Sequence, residues 1–214
     1  APLLLAELQY RYNHGKADTG LAGMFRFGGW NHFGRQDSQR FDTLGLSLAN
    51  PQSSGIAARL RGDSGIYAVV DHQLYRPAGA APDKGVLAFS RISASPSDRS
   101  FINYYLDGGV VFSGMVPGRE EDMFGATFLY SNVSSAASAL DRDTIFYGGV
   151  PQPIRNYEMT LTFAYAAQIV TGWTIQPEIQ YVVHPGGRVP DPNGPPGAML
   201  KNATVLGVRS TLRF

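Results

Sequence analysis

Cysteine is absent from the 214-residue chain. That removes disulfide frameworks, thiolate metal sites and cysteine nucleophiles, and it suits passage through an oxidising compartment. Long apolar runs are missing too: nowhere does the chain approach the roughly 20 apolar residues that a membrane-spanning helix needs. A mean hydropathy of −0.14 likewise excludes a bundle of such helices. Charge of one sign is also lacking, since 18 Lys and Arg stand against 17 Asp and Glu for a net +1. The electrostatic footprint of a nucleic-acid surface is therefore missing, and no nucleic acid is expected as a partner. The apolar start, residues 1–6, carries no basic n-region or cleavage site, so the chain reads as mature or as cut from something longer.

What the chain does have is alternation. Trp173, Ile175, Pro177, Ile179, Tyr181 and Val183 form one face of a stretch whose other face is Thr174, Gln176, Glu178, Gln180 and His184. The closing stretch repeats the pattern, with Thr204, Leu206, Val208, Ser210, Leu212 and Phe214 against Val205, Gly207, Arg209, Thr211 and Arg213. Period two means strands with two unlike faces. Hydrocarbon on one side and water on the other accounts for both.

About nine strand candidates follow in order, at 3–12, 20–30, 65–75, 85–94, 102–116, 122–133, 156–169, 173–184 and 203–214. Each is close to the length a tilted strand needs to cross a bilayer. The fourth is ambiguous, because Arg91 falls in phase with Leu87 and Phe89, so either a bulge or an inverted face assignment is required. Residues 31–63 read as one long loop with a short strand near 41–48, and 134–155 and 185–202 read as two more loops rich in Gly, Pro and Ser. Short connections alternate with mostly long ones, as in an outer-membrane barrel with short periplasmic turns.

Aromatic spacing agrees. Tyr157 and Tyr165 share one face eight residues apart, as do Trp173 and Tyr181. On a tilted strand that separation covers on the order of 20 Å, close to the apolar band of such barrels, whose boundaries carry amphipathic rings. A soluble β-sandwich or lipocalin-like barrel would instead make these aromatics core. The fold expected is all-β, an antiparallel transmembrane up-and-down β-barrel, in contact with outer-membrane lipid.

Four segments carry a family resemblance: GDSGIYAVVDHQLYRP at 62–77, SGMVPGREEDMFG at 113–125, NYEMTLTFAYAAQIVTGWTIQPEIQYVVHPGG at 156–187, and the closing NATVLGVRSTLRF. In them the chain resembles the C-terminal half of the carbohydrate-selective porins of the OprB family. The resemblance implies that residues 1–214 are the C-terminal portion of a single porin barrel of sixteen strands, in the bacterial outer membrane. It also implies diffusive passage of small carbohydrate solutes such as glucose. The terminal aromatic Phe214 would be the signature read by the outer-membrane insertion machinery. A complete single-chain bacterial barrel has an even number of strands with both ends in the periplasm, so an odd count reads as a fragment, and open edges in lipid are costly because nothing there satisfies the backbone groups. A missing N-terminal barrel half, from the same protein or a separate chain, is therefore expected as a partner.

The inward face would project Glu7, Gln9, Arg11, Arg26, Trp30, Asp71, Gln73, Asp107, Glu158, Gln176, Glu178, Gln180, His184, Arg209 and Arg213 into the lumen. The substrate-binding candidates among them are Glu7, Arg11, Arg26, Trp30, Asp71, Gln73, Asp107, Glu158, Glu178, Gln180 and Arg209. A ring of one sign would select ions. This mixture offers donors and acceptors to hydroxyls, and Trp30 offers a flat ring to the apolar side of a pyranose. General diffusion without sugar selectivity is the alternative.

Catalysis has little support. No G-x-S-x-G occurs, and Asp71 and His72 are adjacent, so they point to opposite faces of a strand. His14, His32, His72 and His184 lack metal-ligand spacing, so neither a cofactor nor a metal is expected. An autotransporter or adhesin barrel would share the strands but should carry a lumenal helix or passenger segment.

Overall fold

The structure, a computed structural model, describes residues 1–15 and 18–213. Phe214, with the insertion signal read there, lies outside the described residues. Nine strands pair antiparallel in sequence order as one sheet. They are β1 (Leu3–Tyr12), β2 (Gly23–Asp42), β3 (Ala57–Tyr75), β4 (Gly85–Ala94), β5 (Ile102–Ser113), β6 (Met123–Val133), β7 (Tyr157–Val170), β8 (Trp173–Val183) and β9 (Ala203–Leu212). Each is joined to the next by a hairpin, so β1 and β9 stand at the two edges.

Register fixes the faces, because partners directly opposite one another point the same way. Phe27, Ala68, Ile92, Leu106, Tyr130 and Met159 form one continuous row. This face is apolar and open: Phe163 is 58% exposed, Leu206 and Val208 75%, while the buried hydrophobic residues among those described are only Val133, Ala137 and Ala139. A soluble fold would have put these side chains inside a core, so the sandwich alternative fails. Aromatics gather in two bands on the same face. Toward the long-loop end Tyr130 stacks on Tyr157 at 5.2 Å and meets Tyr104 edge-on at 6.3 Å, and Phe112 and Phe124 stack at 4.6 Å toward the short-turn end.

Three sequence expectations need correction. The stretch 31–63 is mostly hairpin: β2 runs on to Asp42 and β3 starts at Ala57, with register shifts between His32 and Arg35 and between Asp37 and Asp42. Past the rows shared with β1 the extension carries polar residues on both faces, Asp37 opposite Arg59 among them, and no apolar alternation marks it. The stretch 134–155 contains helix α1 (Ser135–Gly148). Ser134 caps its start, accepting from the Ala137 N–H, and Gly149 ends it at φ 65°, a left-handed conformation that costs glycine little. Its buried side is small, Ala137 and Ala139 beside Asp141, which is why the sequence lacks a helical stripe. Finally, His184 leaves the strand alternation. At φ 52° its ring lies 4.6 Å from that of Tyr157, against the apolar face and away from the inward one.

The β2–β3 extension is bound to the rest of the long-loop end. Arg40 donates to Asp143 of α1 through Nε at 2.7 Å and Nη2 at 3.0 Å, and Ser47 donates to the same carboxylate at 2.7 Å. The Gln39 N–H donates to the Asp98 carbonyl at 2.8 Å. Since β3, β4 and β5 separate β2 from the α1 connection, these contacts require the sheet to curl. At the short-turn end Asp122 gathers Arg119, the Tyr165 hydroxyl and, at 2.9 Å, the Gln168 N–H.

Candidate functional site

The polar face carries a belt across β1 to β5. One row runs Gln9, Arg26, Val69, Arg91, Asp107, the row above it Glu7, Gly28, Tyr67, Ser93, Tyr105, and the row below it Arg11, Met24, Asp71, Phe89, Gly109. Adjacent rows place opposite charges within reach. Arg26 Nη2 lies 2.6 Å from Asp71 Oδ2. Arg91 grips Asp107 with Nε at 2.9 Å and Nη2 at 2.6 Å, and Tyr105 donates its hydroxyl to the same carboxylate at 2.6 Å. Such two-pronged charge-assisted bonds fix both partners. Asp107 is accordingly buried while Arg91 stays open, side chains 6% and 55% exposed.

Beside the ion pairs stands an aromatic step. Tyr67 reaches Glu7 two strands away, donating at 2.5 Å, by crossing over Gly28, where a Cβ would stand 2.5 Å from its Cζ. Gln9 donates to the other oxygen of Glu7, also at 2.5 Å. Trp30 lies over Gly65 in the same manner, its ring centroid 6.4 Å from that of Tyr67. Glycine is used at both sites because only a bare backbone leaves room for the neighbouring ring.

Of the candidates read from sequence, Glu7, Arg11, Arg26, Trp30, Asp71 and Asp107 thus lie in one belt. Glu178, Gln180 and Arg209 form a second group on β8 and β9, where Glu178 accepts from Gln180 at 3.1 Å and from Gln176 at 3.4 Å, and Arg209 stands opposite Gln176. Gln73 and Glu158 are placed differently. Gln73 is 2% exposed and donates to the carbonyls of Pro82 and Lys84, pinning the β3–β4 turn. Glu158 accepts from the Gly186 N–H at 2.6 Å, holding the β8–β9 loop. Arg213 closes the β7–β8 turn through its backbone N–H to Gly172 at 2.7 Å.

Sequence reasoning passed over Arg91, Tyr67 and Tyr105. The signal was the phase conflict in β4: the inverted assignment is the correct one, with Leu87, Phe89 and Arg91 all on the polar face. Among the described residues no three His, Cys, Asp or Glu gather as metal ligands would.

At the long-loop end Asp42 is 1% exposed. Burial opposes its charge, but the Ser54, Leu46 and Leu44 N–H groups and the Ser53 hydroxyl all donate to it and hold its carboxyl down at about 2. Asp122 is likewise held down at about 2, first by Arg119 and then, against desolvation, by Tyr165 and the Gln168 N–H.

The fold is similar to a solved structure of Pseudomonas putida OprB, with a TM-score of 0.85 over 98% of this chain at 18% identity. The chain spans about half the length of that structure, 48% of it. No curated protein matches it. Residues 1–214 match the family model described as carbohydrate-selective porin, OprB family, and the chain belongs to that family of bacterial outer-membrane channels.

Proposed function

We propose that this chain forms about half the wall of a channel that passes glucose-type monosaccharides by diffusion, with the polar face lining the lumen and the apolar face against lipid. Its short-turn end is periplasmic and its long-loop end extracellular. Further strands, in the same protein or a separate chain, pair with the edges of β1 and β9 to complete a sixteen-stranded barrel. Phe214 serves as the insertion signal. The residues 1–214 are then part of one barrel domain with a transport role and no catalytic one.

One observation carries the solute assignment. The lumenal belt has both signs of charge compensated within it, Arg26 with Asp71 and Arg91 with Asp107, beside the rings of Trp30 and Tyr67. A single-sign ring would draw ions. A compensated one presents fixed donors and acceptors without net charge, which suits hydroxyls, and an indole beside it suits the C–H face of a pyranose. Glu7, Arg11 and Trp30 belong to this group, and Glu178, Gln180 and Arg209 supply a second polar strip.

Liposome swelling tests it. Glucose should enter faster than gluconate or a cationic amino sugar of the same size. Entry ordered by size alone would instead favour general diffusion without sugar selectivity.

A further inference from the structure

The lumenal face is not polar throughout. At the lower rim of the belt and just beneath it, Met24, Leu87, Phe89, Val111 and Met123 point the same way as Asp71 and Ser113. Register requires this: Met24, Asp71 and Phe89 are successive partners, Leu87 faces Val111, and Ser113 faces Met123. Together they line a cavity of about 720 Å3, bounded on another side by Asn13 and His14 of the first turn. That is within the roughly 300–1,000 Å3 typical of small-molecule sites.

Five neighbouring apolar side chains are out of place in a wall that only water and free hexose pass, because a hexose carries hydroxyls around its whole rim. Polar groups flank this patch on two sides, Asp71 at the belt and Asn13, His14, Asp18, Arg76 and Asp83 toward the turns. Asp71 is held by Arg26 at 2.6 Å, and the Arg91 guanidinium lies 5.9 Å from the centroid of the Phe89 ring. These belt charges are paired, Arg26 with Asp71 and Arg91 with Asp107, so the belt edge offers hydrogen bonds without net charge. A ligand that meets this belt edge and the apolar patch together is uncharged there, hydroxylated at one end and apolar along the part that covers the patch.

We infer that this cavity is a subsite for neutral glycosides bearing an aryl or alkyl aglycone. The sugar hydroxyls meet the Asp71–Arg26 edge, and the aglycone covers Phe89, Leu87 and Val111. The inference rests on the lumenal reading of the polar face and names a substrate class beyond free monosaccharide. A tenfold preference corresponds to about 1.4 kcal/mol, which needs burial of only about 55 Å2 of apolar surface.

The test times current interruptions in planar bilayers, using the complete channel purified from outer membranes and matched concentrations of glucose and phenyl β-glucoside. Phenyl β-glucoside should reside about tenfold longer than glucose. Phe89→Ser should abolish that ratio, and Val111→Thr, which keeps the side chain's outline but adds a hydroxyl to the apolar patch, should lower it about threefold. Glucose interruptions should be unchanged in Val111→Thr. A ratio near one in the native channel, or one untouched by both variants, overturns the subsite even if glucose passes. An aryl preference that Phe89→Ser removes, in a channel that excludes glucose, sustains the subsite and sinks the monosaccharide reading instead.

Discussion

Arg91 and Asp107 face each other directly across β4 and β5, joined by two hydrogen bonds of 2.9 and 2.6 Å, with only the carboxylate buried. The pair explains why β4 presents three residues, Leu87, Phe89 and Arg91, that look mismatched in sequence. Asp107 needs a cation opposite it, and β4 turns its apolar alternate positions inward to supply one. The face that β4 presents is therefore set by charge pairing at this strand.

Removing either partner should unbalance the lumen in opposite senses. Arg91→Ala leaves the Asp107 carboxylate uncompensated and should shift the reversal potential in a KCl gradient toward cation selectivity. Asp107→Asn should shift it toward anions. Because Arg91 is more than half exposed, the stability cost of Arg91→Ala should be about 1–2 kcal/mol, below that of breaking a fully buried pair.

Adjacent positions on β7 distinguish lipid from lumen. Phe163 lies on the open apolar face and Thr162 on the polar one, opposite Gln180. Phe163→Arg should destabilise the folded protein in vesicles by about 2–4 kcal/mol, as charges at the bilayer midplane do, whereas Thr162→Arg should cost far less. Urea titration of both variants decides it. Equal costs would mean that the faces are wrongly assigned.

The knot around Asp42 should be acid-sensitive. Its carboxyl is held below the usual carboxylate range, at about 2 against 3.8, so the folded loop prefers the charged form. The stabilisation is then present above about pH 4 and is lost as pH falls through the folded value near 2. Hydrogen exchange at the Leu44, Leu46 and Ser54 amides should accelerate across that window, and Asp42→Asn should remove the pH step.

The clamp between α1 and the β2 extension is a pair of residues 103 apart in sequence. Arg40→Ala and Asp143→Ala should each expose residues 43–56 to protease. A double-mutant cycle should return a coupling of about 1–2 kcal/mol, given that both side chains are mostly covered. Ser134→Ala, which removes the cap of α1, should cost about 1 kcal/mol and raise cleavage within the helix.

The strands within the membrane and, for all but β4, their faces are legible in the amino-acid order alone. Lipid on one side and water on the other force a period of two at every position, so Trp173 to Val183 or Leu206 to Leu212 can be read locally. Gln73 and Glu158 show where that reading stops: both keep the inward phase, yet their amide and carboxylate hold the turn at 76–84 and the loop at 184–202. Those roles, the β2–β3 extension, helix α1 and the Arg91–Asp107 pairing emerge only once the chain is folded. Each depends on partners from other strands or loops. Outside the bilayer, water surrounds both sides of a strand, and no periodicity records what it will meet.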